Sequence, residues 1–74
     1  MVLYRNLGGD SGVRSFEIGD DRIIVTFSTN VSYEYTYVSA GIKHVENMKS
    51  LAAQGQGLNS YINKYVKKGY SRKF

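Results

Sequence analysis

Strict alternation of side-chain type over residues 31–38 is the feature that most constrains the fold. Bulky apolar or aromatic side chains alternate there with small or polar ones: Val31, Ser32, Tyr33, Glu34, Tyr35, Thr36, Tyr37. Because successive side chains of a β-strand point to opposite faces of a sheet, this pattern predicts a strand with one apolar face. The tyrosine row can be buried core or a platform on which bases stack, and we expect core.

Two further strands are expected before this one, over residues 13–18 and 23–27, and the second is rich in β-branched and aromatic residues. A three-residue loop, 28–30, pairs Phe27 with Val31, Val25 with Tyr33 and Ile23 with Tyr35. This register gathers the large apolar groups on one face, whereas a two-residue loop shifts it by one residue and separates them. Asn30 tolerates the left-handed conformation that such loops need at their last position.

The apolar period becomes helical from Ser39, which is a candidate N-cap. One stripe comprises Ile42, Val45, Met48 and Leu51 or Ala52. Gly55 and Gly57 end that helix. A second stripe comprises Leu58, Tyr61, Ile62, Tyr65 and Val66, and it predicts a helix that ends near Gly69. The expected fold is therefore α+β, a three-stranded antiparallel meander followed by two helices packed on one sheet face, in the order β-β-β-α-α.

The chain has only 74 residues, which restricts the organisation to one domain. It has no cysteine, so disulfides and thiolate metal sites are excluded. We expect residues 1–10 to form an arm or an additional edge strand, 11–69 the domain, and 70–74 a basic C-terminal tail. No apolar run approaches the roughly 18 residues of a membrane span, and no secretory signal is evident. The expected location is the cytoplasm, with no membrane partner.

Charge is concentrated in the second half of the chain. Residues 1–40 carry three cations and five acids, whereas residues 41–74 carry seven cations and one acid. Lysines and arginines with an interleaved aromatic residue are typical of a surface that binds a nucleic-acid backbone. The candidate residues lie on the second helix and the tail: Asn63, Lys64, Lys67, Lys68, Tyr70, Arg72 and Lys73. The alternative for the same residues is a solvated, solubilising surface.

Enzymatic activity is not expected. His44 is the only histidine, and neither a second histidine nor a cysteine accompanies it for acid–base, nucleophilic or metal chemistry. The Gly-Gln-Gly at residues 55–57 follows a helix and lacks the downstream glycine and lysine of phosphate-binding loops. We expect no metal, no cofactor and no small-molecule substrate.

Two short motifs resemble the KTSC domain, a module named for its occurrence at the C-terminus of some lysyl-tRNA synthetases and also found as small bacterial and phage proteins. The first is a Tyr-x-Tyr on a central strand, matched by Tyr33 and Tyr35. The second follows a glycine near the C-terminus, and Leu58, Asn59 and Ile62 match it. Gly57 and Ser60 depart from it, since the family often has tyrosine and arginine there. The resemblance covers roughly residues 11–66.

The resemblance implies RNA binding, proposed for the family from its association with the synthetase. Ser60 removes one plausible phosphate contact, and the C-terminal lysines and arginine are expected to compensate for it. The motif residues are expected to be structural, with Asn59 capping the second helix. The predicted function is a small non-enzymatic nucleic-acid-binding module, with RNA as the expected ligand. The alternative is a protein–protein interaction module that docks its partner through the acidic half or an exposed edge strand.

Overall fold

One antiparallel sheet and two helices make up the computed structural model, which describes residues 2–5 and 12–74. The strands are β1 (Val2–Leu3), β2 (Val13–Ile18), β3 (Arg22–Phe27), β4 (Ser32–Thr36) and β5 (Arg72–Lys73). The helices are α1 (Ile42–Gln54) and α2 (Leu58–Tyr61), which continues as π-helical turns over Ile62–Val66. We call α2 and this continuation the second helix. The α+β class is confirmed.

The sheet is wider than the expected three-stranded meander, and its order is β1-β2-β3-β4-β5. At one edge Val2 pairs with Phe16, so an N-terminal edge strand is present. At the other edge Arg72 pairs with Glu34, so residues 72–73 of the expected basic tail form a further strand. The remainder of the expected N-terminal arm, residues 1 and 6–10, lies outside the described residues, as does Ser11.

The register between β3 and β4 follows the expected three-residue loop. Val25 lies opposite Tyr33, Ile23 lies opposite Tyr35, and the backbone N–H of Phe27 donates to the Val31 carbonyl at 2.9 Å. Asn30 adopts the left-handed conformation, with φ of 67°. The alternation of apolar side chains therefore selected the register that places them together on one face.

Helix α1 buries Val45, Met48 and Ala52 and ends where Gly55 adopts φ of 84°. Its start differs from the expectation, because Gly41 is the N-cap. The Ser39 hydroxyl instead accepts a hydrogen bond from the Thr36 backbone N–H at 3.0 Å, in the turn before the helix. Ser39 therefore closes the end of β4 rather than capping α1.

The second helix buries Leu58, Ile62 and Val66, while Tyr65 is 54% exposed although its spacing predicted an inward position. The difference arises from the π-helical turns over Ile62–Val66. Because a π turn is wider than an α turn, a residue three positions after Ile62 is rotated farther from the buried face. Val66, four positions on, remains on that face.

Both helices lie on the same face of the sheet, and one core fills the space between the layers. Its members come from all the major elements: Tyr4, Val13, Phe16, Ile23, Val25, Tyr35, Val45, Met48, Ala52, Leu58, Ile62 and Val66. Tyr35 is 1% exposed, and Tyr33 and Tyr37 are partly buried against this core. The tyrosine row thus belongs to the interior face of the sheet.

Tyr4 joins the N-terminal segment to the second helix. Its buried hydroxyl accepts a hydrogen bond from the Leu58 backbone N–H at 3.2 Å. The N-cap of α2 is Gly57, which has no side chain to accept that bond. The phenol therefore supplies a cap from a residue distant along the chain.

Removing the Tyr4 hydroxyl is expected to leave a buried N–H without a partner. The Tyr4→Phe variant should lose about 1–3 kcal/mol of unfolding free energy, measured by urea denaturation. Tyr65→Phe is the matched control, because Tyr65 is largely exposed, and it should change stability by less than about 0.5 kcal/mol. Equal effects of the two substitutions would contradict a capping role for Tyr4.

Candidate nucleic-acid interface

A cleft of about 470 Å³ separates the second helix from the β3–β4 hairpin. We call it the basic cleft. The hairpin side comprises Gly12, Phe27, Ser28 and Thr29, the floor comprises Tyr33, Tyr35 and Ile62, and the helix side comprises Asn63, Lys67, Lys68 and Tyr70. Four of the seven predicted binding residues thus line one opening.

Local structure explains why these side chains meet. The alternation of β4 directs Tyr33 and Tyr35 toward the helical layer, and buried Ile62 anchors the second helix above them. After Val66 the chain turns back, with the Gly69 N–H donating to the Val66 carbonyl at 2.8 Å. This turn brings Tyr70 onto Tyr33 and leads the chain into β5.

The rings of Phe27, Tyr33 and Tyr70 contact one another across the lining of the basic cleft, and we call them the aromatic wall. The Phe27 and Tyr33 ring centroids are 5.4 Å apart at an interplanar angle of 83°. The Tyr33 and Tyr70 centroids are 4.9 Å apart at 63°. Both are edge contacts, so neither neighbour covers a ring by parallel stacking.

Tyr35 lies in the cleft floor and is 1% exposed. Burial raises the pKa of its hydroxyl, and the neighbouring phenols of Tyr33 and Tyr70 raise that pKa further. The hydroxyl therefore remains protonated well into the alkaline range. It can serve a ligand as a hydrogen-bond donor or acceptor but not as a base near neutral pH.

Positive charge lies along the helix side of the cleft. Lys67 and Lys68 line it and are exposed, with Asn63 one turn earlier on the same helix. Lys73 approaches from β5, where its Nζ lies 5.8 Å from the Tyr33 ring centroid. Three lysines therefore border the aromatic wall.

Arg72 lies on the other face of the sheet, contrary to its grouping with the lysines. Its Nε donates to Glu34 Oε1 at 3.1 Å, and Arg22 lies 3.7 Å from the other oxygen of that carboxylate. Glu34 is only 7% exposed. Because adjacent residues of a strand point to opposite faces, Lys73 faces the cleft while Arg72 is occupied by an ion pair.

Lys64 also lies outside the lining of the basic cleft. Its Nζ is 5.3 Å from the Tyr65 ring centroid, on the outward side of the helices. Tyr65 stacks on His44 there, and His44 Nδ1 lies 2.7 Å from the Tyr61 hydroxyl. From the sequence, His44 was expected to be an isolated exposed residue, whereas it is half-buried in this aromatic cluster.

The residues of the proposed family motif are mostly interior. Tyr35, Leu58 and Ile62 belong to the core, and Tyr33 lines the cleft. Asn59 is not one of these core residues. The N-cap of α2 is Gly57, and no side chain makes a cap hydrogen bond there. The expected capping role of Asn59 is therefore wrong.

Phe27 lines the cleft, although its place in the predicted register assigned it to the core. The predicted register already placed it one pair beyond Val25 and Tyr33, so its contact with the Tyr33 ring follows from that pairing. The register did not predict where Tyr70 lies. Only the return of the chain after Gly69 makes the two rings part of one wall.

No family model, curated protein or solved structure matches this chain. The resemblance to the KTSC domain therefore stays a prediction. Within residues 2–5 and 12–74, no three histidine or acidic side chains are grouped to hold a metal ion. In the same part of the chain, neither helix has the length and apolar character needed to cross a membrane.

Proposed function

We propose that this chain is a small non-enzymatic nucleic-acid-binding module that uses the basic cleft and the second helix, with RNA as its ligand. The observation that carries the proposal is the convergence of Lys67, Lys68 and Asn63 with the aromatic wall around Tyr70. Recognition of a single strand has two components: cations placed along its backbone, and aromatic rings on which its bases stack.

Charge placement restricts the mode of binding. Lys67 and Lys68 line the cleft and Lys73 lies close to the Tyr33 ring, whereas Arg72 is paired with Glu34. Three phosphate contacts on a single strand correspond to a log–log salt slope no steeper than about −2. Binding is therefore expected to be weak at physiological salt and strongest at low salt.

Fluorescence anisotropy with labelled single-stranded RNA, double-stranded RNA and single-stranded DNA tests the proposal. Titrations at about 50 and 200 mM salt give the slope. Lys67→Gln and Lys68→Gln should each weaken binding and flatten the slope by about 0.7, because each removes one phosphate contact from a single strand. Lys43→Gln is the matched control, since Lys43 is exposed on α1 and outside the cleft lining.

Equal weakening by Lys43→Gln and Lys67→Gln would indicate a response to net charge alone and would contradict the cleft assignment. Absence of binding at the lower salt would remove the nucleic-acid proposal altogether. The protein-interaction alternative would then take its place. A search for the partner would begin at β1, an edge strand whose Val2 and Leu3 side chains are 59% and 75% exposed.

A further inference from the structure

The size of the basic cleft limits what can enter it. A cavity of about 470 Å³ falls in the range of sites for single small ligands. A base that is paired and stacked in a duplex cannot enter such an opening without leaving its neighbours. The cleft is therefore matched to one unstacked base rather than to the side of a helix.

Within the aromatic wall, the Tyr70 ring offers an exposed surface to such a base. Tyr70 meets Tyr33 at 63° and remains 37% exposed, so part of its ring is open to solvent. Stacking of a base on an aromatic side chain contributes about 5-fold to 150-fold in affinity. Tyr70 sits at the mouth of the cleft, on the short segment between the Gly69 turn and β5.

Two polar groups of the cleft lining, one on the helix side and one in the floor, can meet the edge of that base. The Asn63 amide offers both a donor and an acceptor. Tyr35 lines the floor and is 1% exposed, and its phenol hydroxyl can donate or accept a hydrogen bond.

The cations lie where the attached phosphate would emerge. Lys67 and Lys68 are exposed on the helix side, one turn after Asn63. Because ammonium groups on long side chains remain solvated, they suit a phosphate at the mouth better than a group at the floor. The cleft is thus apolar and hydrogen-bonding inside and positive outside.

We infer that the basic cleft seats one nucleotide unit, with its base stacked on the exposed part of the Tyr70 ring, its base edge at Asn63 and the Tyr35 hydroxyl, and its phosphate at Lys67 and Lys68. This inference rests on the proposed function and adds base recognition to it. The unit is a planar base with an attached phosphate, whether it belongs to an RNA strand or to a free mononucleotide.

Base-bearing and abasic single strands of equal length separate base seating from backbone binding. The probes are labelled homopolymers of each base and an abasic phosphodiester chain, titrated by anisotropy. Tyr70→Leu should weaken binding of the base-bearing strands by about 5-fold to 150-fold and leave the abasic chain unaffected. Asn63→Ala should reduce the preference among homopolymers without changing the salt slope, while Lys67→Gln should change the slope without changing the preference.

A second arm identifies the source of the nucleotide. Adenosine and uridine monophosphates are titrated as competitors of the bound strand. If the base-bearing strands bind better than the abasic chain, competition would show that a free mononucleotide fills the seat, and its absence would show that the seat takes a base only within a strand. Equal affinity for abasic and base-bearing strands, with Tyr70→Leu silent in a folded protein, would overturn the seat and leave backbone binding intact. Failure of every strand to bind would instead remove the proposed function itself.

Discussion

Replacing Met48 by alanine is expected to lower the free energy of unfolding by about 2–5 kcal/mol. Met48 is fully buried on α1 and belongs to the single core between helices and sheet. The truncation removes apolar contacts and leaves a cavity that a thin two-layer domain closes only in part. A chain of 74 residues has about 4–11 kcal/mol in total. This one substitution should therefore unfold a measurable fraction of the protein.

Urea denaturation followed by far-ultraviolet circular dichroism measures this loss directly. Lys43→Ala is the control on the same helix, because Lys43 is exposed, and it should shift stability by no more than about 0.5 kcal/mol. A Met48→Ala variant as stable as Lys43→Ala would mean that the interior is loosely packed around that position.

Raising the pH above about 10 is expected to destabilise the protein through Tyr35. Burial raises the pKa of its phenol in the folded chain, whereas the unfolded chain ionises near the ordinary value of about 10. Above that pH the folded state holds a proton that the unfolded state has lost, so stability falls as pH rises. One such proton lowers the folding equilibrium constant by up to about tenfold per pH unit.

Urea titrations at a series of pH values, with the Tyr35→Phe variant beside the wild type, isolate this proton. The variant should lose stability less steeply above about pH 10, because it has no phenol to ionise at that position. It should not become independent of pH, because the hydrogen bond to Glu46 also raises the pKa of Tyr37. Identical slopes for the variant and the wild type would show that Tyr35 ionises as readily in the folded protein as in the unfolded chain.

The central strands of the sheet could be predicted because the strands that pair there follow one another along the chain. The β3–β4 pairing of Val25 with Tyr33 followed from alternation and from a loop that Asn30 can close. The apolar stripe that contains Met48 could also be predicted, because it depends only on residues close together in the chain. Tyr65 deviated because the π-helical turns change the angle between successive side chains, and the apolar spacing alone is compatible with either helix.

The candidate site could be predicted only in part. Asn63, Lys67, Lys68 and Tyr70 do share one opening. Arg72 was misplaced because a five-residue basic segment carries no sign of strand pairing until the edge of β4 is available to it. Once it pairs, alternation separates Arg72 from Lys73, and Glu34 holds the arginine on the opposite face.

Local side-chain patterns were enough to predict the elements that repeat over a few residues: the tyrosine strand with its register, α1, and the buried stripe of the second helix. Which distant segments meet depends instead on the assembled fold. The Tyr4 phenol caps Leu58 across 54 positions, and Arg72 reaches Glu34 across 38. The physical reason is that periodicity records which face of an element is apolar. Contacts between distant residues depend on which unpaired edge, N–H group or charge remains to be satisfied after the core has formed.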